Sequence, residues 1–176
     1  MKKRLGLTLF LTFALSLFSV FGHADKGLSN VEMALQANAT ADSSIQVSRE
    51  QALKDVLREA DELEVEIRSD QEAEEYLDYA ARMSGIKAHQ MHAATLGSDL
   101  IMVRKLHLNN PRILREELLH TQQQKKGISI SSASVTNAEI EVRIVMLQNR
   151  YKWGITEAEA QEMIEDVRLI EKRGGY

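Results

Sequence analysis

The chain has 176 residues, no Cys and one Pro, with 26 acidic against 22 basic side chains and a formal net charge of −4. Without disulfides, a packed core or a metal must brace an exported chain. The acidic balance argues against nucleic-acid binding driven by bulk charge, and the lack of Cys removes a thiol nucleophile.

Residues 2–4 are Lys, Lys and Arg, an apolar run follows over 5–21, and Gly22-His23-Ala24 closes it. A basic start, an apolar stretch and small residues at the two places a signal peptidase reads predict a signal peptide over 1–24. The rival is an uncleaved anchor, since about 17 apolar residues is borderline for spanning a bilayer. Cleavage after Ala24 leaves a single-domain length with no membrane segment, exported to the periplasm or beyond. Loss of Lys2, Lys3 and Arg4 takes the net charge to −7.

Residues 25–47 are rich in Ala, Ser, Asn and Thr and read as a mobile leader, with a short helix near 30–37. One α+β domain is expected over 48–176. Ser48 opens its first helix with the S-R-E-Q capping spacing, and Leu53, Val56, Leu57 and Ala60 give an apolar stripe. Residues 63–68 alternate as a half-buried strand. Ser69-Asp70 caps a helix that stops at Gly85. A weak strand over 86–95 carries His89 and His92, which would face opposite sides and chelate poorly. A turn at Gly97-Ser98 leads to the best central strand, 100–106.

Pro111 then suits the first turn of a helix, Asn109 or Asn110 can cap it, and Gly127 ends it, giving a helix over 111–125. A polar loop or short extended piece over 128–136 is expected next, then a helix over 137–151. Thr156 starts a last helix with T-E-A-E as a capping box, and Gly174-Gly175 frays its end. Together these elements predict a small antiparallel sheet with packed helices.

The chemistry concentrates in the 111–125 helix. Glu116 and His120 are four residues apart and share a face, with Glu117 beside them. This is the logic of the H-E-x-x-H zinc helix with Glu in the first place, and a carboxylate oxygen can bind Zn²⁺. The plainer reading is a solvated charged face. A third ligand has two candidates on the next helix, Glu139 and Glu141. Arg143, four residues after Glu139, offers that carboxylate a surface ion pair instead, and a solvated position is the plain reading of Glu141. His107 precedes the helix and is a candidate extra ligand. Tyr151 and Trp153 read as helix-end packing. No G-x-S-x-G, P-loop or dinucleotide motif is present.

A strand, an E-x-x-H helix and then a Glu-bearing helix resembles compact zincin-like metallopeptidase domains. More narrowly, E-E-L-L-H-T-Q-Q, then E-I-E-V and Y-K-W-G-I-T, is similar to small domains of bacterial secreted and polymorphic toxins. The pattern there is E-E-x-x-H-x-x-Q, E-I-E-A and Y-G-I-T, and the resemblance covers residues 100–172. It implies a zincin-like fold in which Glu116, His120 and Glu139 hold Zn²⁺. It also implies that Glu117 serves as general base and that Gln123 touches a ligand or the substrate. The expected function is an exported, peptide-directed and toxin-like metal-dependent hydrolase with a peptide or protein substrate. The alternative is a non-catalytic periplasmic or secreted binding or structural protein.

Overall fold

The structure is a computed structural model, and it describes residues 28–127 and 132–173. Among the described residues, six α-helices and three strands follow one another: α1 (Asn30–Ala39), α2 (Arg49–Glu62), β1 (Glu66–Arg68), α3 (Gln71–Met83), β2 (Ala93–Leu96), β3 (Leu100–Val103), α4 (Pro111–Lys125), α5 (Ser132–Gln148) and α6 (Glu157–Arg173). The class is α+β, with a small sheet and packed helices.

The helix starts follow their caps. The Ser48 hydroxyl accepts from Gln51 N at 3.1 Å, and the Asp70 carboxylate from Ala73 N at 3.0 Å. Asn110 Oδ1 accepts from Arg112 N at 3.0 Å with Pro111 in the first turn. Thr156 and Glu159 form a reciprocal box, with Glu159 N donating to Thr156 Oγ1 and Thr156 N to the Glu159 carboxylate.

The sheet has the order β1-β3-β2. β2 and β3 form an antiparallel hairpin in which Thr95 pairs with Ile101. β1 runs parallel to β3, with Ile67 opposite Ile101, so the sheet is mixed rather than antiparallel. The chain between β1 and β3 includes α3, which is long enough to bring the strand back in the same direction. Successive residues of β3 serve different layers. Ile101 and Val103 join Val56 of α2 and Leu114 and Leu118 of α4. Met102 meets Ala73 and Leu77 of α3. A third apolar cluster holds α1, α5 and α6 together and includes Leu119 of α4. Thus α4 is the joint between the sheet layer and the helical layer.

Several boundaries depart from expectation. β1 is three residues, because Glu64 takes φ 56° and breaks the extended run that begins at Leu63. Within 86–95 the chain forms a 3₁₀ turn at Ala88–Gln90 before β2. β3 ends at Val103, and Lys105–His107 is a second 3₁₀ turn. α5 starts at Ser132, inside the expected loop, and residues 128–131 lie outside the described part. Residues 25–47 do not behave throughout as a mobile leader. α1 is a docked helix whose Ala34 and Ala37 are buried in the α5–α6 cluster. The expected signal peptide and the Gly174-Gly175 end lie outside the described residues. Among the described residues, no helix is long and apolar enough to cross a membrane.

One close approach fixes the turn between α5 and α6. Gly154 has φ +61°, and a Cβ there would stand 2.9 Å from the Ala52 Cβ on α2. Only glycine meets both demands without a shift.

Candidate metal centre

Helix geometry sets two of the ligands. Glu116 and His120 are one turn apart on α4, on the side that meets α5. Glu139 comes from the first half of α5. One side-chain donor atom from each of these three residues lies within 4.8 Å of the others, and His120 Nε2 is 3.4 Å from Glu139 Oε1. The side chains of Glu116 and His120 keep only 15% and 16% of their exposure, so the solvated-face reading of E-E-L-L-H does not hold.

Glu141 is not in this group. Its carboxylate accepts a 2.8 Å hydrogen bond from Gln123 Nε2. Positions i and i+2 of a helix are about 200° apart, so Glu139 and Glu141 face different ways. The same Gln123 Nε2 donates to the Ala138 carbonyl at 3.1 Å, and Gln123 Oε1 lies 3.0 Å from His120 Nδ1.

Glu117 keeps some exposed surface as a residue, but protein encloses its carboxyl group. Burial pushes that carboxyl up to about 7. The nearby His120 and the Thr95 hydrogen bond oppose the shift, while the negative charges of Glu116 and Glu139 add to it. Thr95 Oγ1 donates to Glu117 Oε2 at 2.7 Å.

Two arginines complete the surroundings. Arg143 Nη1 is 2.5 Å from Glu139 Oε2, and its Nη2 is 3.5 Å from Glu116 Oε1. Arg143 Nε is 3.5 Å from Asp166 on α6. Arg112 Nη2 is 3.6 Å from Glu116 Oε2. The Arg143–Glu139 pair is therefore present, but it is not a surface pair, because the Arg143 side chain is 8% exposed.

The donor set fits a divalent cation of the zinc type: one imidazole and two carboxylates. Glu139 Oε1 is turned to His120 while Oε2 serves Arg143, so each carboxylate oxygen has its own neighbour. The guanidinium charge beside both acids opposes a further cation, and the fit is thus one of donors more than of net charge.

His107 does not approach this group. Its ring lies against that of His92, tilted by 45° with centroids 4.3 Å apart, and burial, with His92 and Arg104 close by, lowers its pKa. His89 lies exposed in the first 3₁₀ turn. Trp153 is buried beneath the Arg115 guanidinium, 4.7 Å from the ring centre, and Tyr151 packs on Arg150. Both are packing residues. Arg112 carried a readable signal, being four residues before Glu116 on one helix face. Thr95 carried none, since only the fold brings β2 against α4.

No protein-family model, curated protein or solved structure matches the chain.

Proposed function

We propose that the protein is an exported, zincin-like, zinc-dependent hydrolase acting on peptide bonds, with a toxin-like role. The observation that carries this reading is the convergence of Glu116, His120 and Glu139 beside an enclosed Glu117 whose pKa lies near 7. Export rests on the signal-peptide reading of residues 1–24, and peptide specificity on the resemblance of residues 100–172.

In this reading Glu116, His120 and Glu139 hold the ion. Zinc, when bound, activates water and polarises a carbonyl. Glu117 carries the proton. Burial holds this carboxyl near 7 in the metal-free protein, and a bound cation would favour its ionised form, which can take a proton from water and return it to a leaving amine. The Thr95 hydrogen bond holds its Oε2 in one place. Gln123 holds the His120 ring.

One observation favours a second reading. Arg143 already neutralises Glu139 and lies beside Glu116, so the cluster can close as an ion network without metal. The protein is then a non-catalytic binding or structural domain. Cleavage of a mixed peptide library by zinc-loaded protein separates the two. The hydrolase reading expects cleavage by the wild type and none by Glu117→Gln, with zinc retained by both. Equal peptide patterns with and without zinc-loaded wild type favour the network.

A further inference from the structure

The geometry points to Glu141 and Gln123 as positioning residues that fix the tautomer of His120. The argument starts from what each atom can do. The Ala138 carbonyl and the Glu141 carboxylate only accept hydrogen bonds. The Gln123 amide nitrogen faces both, at 3.1 and 2.8 Å. Gln123 is 2% exposed, so no water layer offers its amide an alternative set of partners. The reverse amide orientation would set its oxygen against two acceptors and bury an unmet donor, which a buried site disfavours.

The amide oxygen is thereby committed to His120 Nδ1, 3.0 Å away. An oxygen accepts, so Nδ1 must carry the hydrogen. Glu139 Oε1 also accepts and faces Nε2, but at 3.4 Å against 3.0 Å for the amide oxygen, so in the neutral ring the better-placed acceptor holds the one hydrogen on Nδ1 and leaves the lone pair on Nε2. In water a neutral histidine side chain prefers the opposite tautomer, with hydrogen on Nε2. The chain Glu141–Gln123–His120 reverses that preference by three side chains from two helices. Glu141 is the anchor, because its charge makes the hydrogen bond from the Gln123 amide the stronger kind.

The tautomer follows from hydrogen bonding in the metal-free protein and does not depend on the hydrolase reading. Its consequence for zinc rests on that reading. An Nε2 lone pair presented ready-made removes one cost of ligation, and losing such an outer partner lowers metal affinity by about 10–100-fold.

The test is nitrogen-15 NMR of the histidine rings in metal-free protein, with the pH raised until the His120 ring reads as neutral. The expected wild-type spectrum has His120 Nδ1 protonated and Nε2 bare. Gln123→Met keeps the size of the side chain without its polar ends, and should move His120 towards the Nε2–H form. Glu141→Ala leaves the Ala138 carbonyl in place and should give a partial shift. Wild-type His120 with hydrogen on Nε2 overturns the proposal even if neither variant folds. So does an unchanged tautomer in a folded Gln123→Met. Zinc titration of the same samples adds the second readout. Weaker zinc binding in Gln123→Met, with the tautomer change, supports both readings. The tautomer change with no zinc uptake by any sample keeps the positioning role and removes the metalloenzyme.

Discussion

Thr95 on β2 donates to the Glu117 carboxylate on α4 at 2.7 Å, and its Oγ1 also lies 3.0 Å from the Glu117 carbonyl oxygen. One hydroxyl from the edge of the sheet thus meets both the candidate base and the backbone that carries it. The bond favours the ionised form and works against the burial that raises the Glu117 pKa. Thr95→Val keeps the shape and removes the donor. Glu117 should then titrate above about 7, read by carboxyl carbon-13 NMR of metal-free protein. Stability should fall by about 1 kcal/mol, the net value of one such bond. An unchanged titration would show that the hydroxyl does not hold this carboxylate.

Glu117 also predicts how the metal-free protein responds to pH. Its pKa rises from an ordinary 4.5 to about 7 on folding, so the folded state binds the proton more tightly than the unfolded state. Stability from this group is therefore highest below about pH 4.5, and it declines as pH rises towards 7. The full decline is about 3 kcal/mol. Glu117→Gln should abolish this part of the decline and melt higher than wild type at pH 8. Parallel pH profiles for the two proteins contradict the raised pKa.

Arg143 separates the two functional readings by a different route. Its guanidinium sits beside both Glu116 and Glu139. Removing a positive charge within about 4 Å of a cation site strengthens cation binding by about 1.4 kcal/mol or more, at least roughly tenfold. Arg143→Gln should therefore bind zinc more tightly than wild type while folding less stably. If Arg143 is itself the cation the cluster was built for, the variant loses stability and gains no zinc affinity.

Leu118→Asp tests the joint between the layers. Leu118 is fully buried and packs with Ile101 and Val103 of β3 and Val56 of α2. An unpaired charge there should cost about 4 kcal/mol or more, a large part of a domain's stability. Circular dichroism should show an unfolded or barely folded chain. Native-like melting would place Leu118 outside the core.

The bounds of α4 were legible because every signal is local: Pro111 in the first turn, Asn109 or Asn110 as cap, of which Asn110 serves, and Gly127 just past the end. The i, i+4 spacing of Glu116 and His120 likewise needs only the helix repeat. The direction of β1 was not legible, since pairing with β3 depends on the path through α3. The six-residue alternation at 63–68 gave no hint that Glu64 turns left-handed. Glu139 and Glu141 could not be separated from the residues alone, because the phase of α5 against α4 is set by packing. The docking of α1 was hidden as well. Its buried face is made of Ala34 and Ala37, which are too small to stand out as an apolar stripe. Gln123 and Arg143 are polar, so nothing in the pattern marked them as buried.

The most direct measurement is a zinc titration of metal-free protein by calorimetry, with wild type, Glu117→Gln and His120→Ala side by side. The proposed roles give Glu116, His120 and Glu139 to the ion and leave Glu117 outside the ligand set. Wild type and Glu117→Gln should each take up one zinc ion per chain and melt higher with it, since binding to the folded state adds to stability. His120→Ala should take up none and gain nothing from zinc. A wild type that takes up no zinc, with a melting temperature that zinc leaves unchanged, contradicts the metal centre and leaves the Arg143 network as the account of these residues.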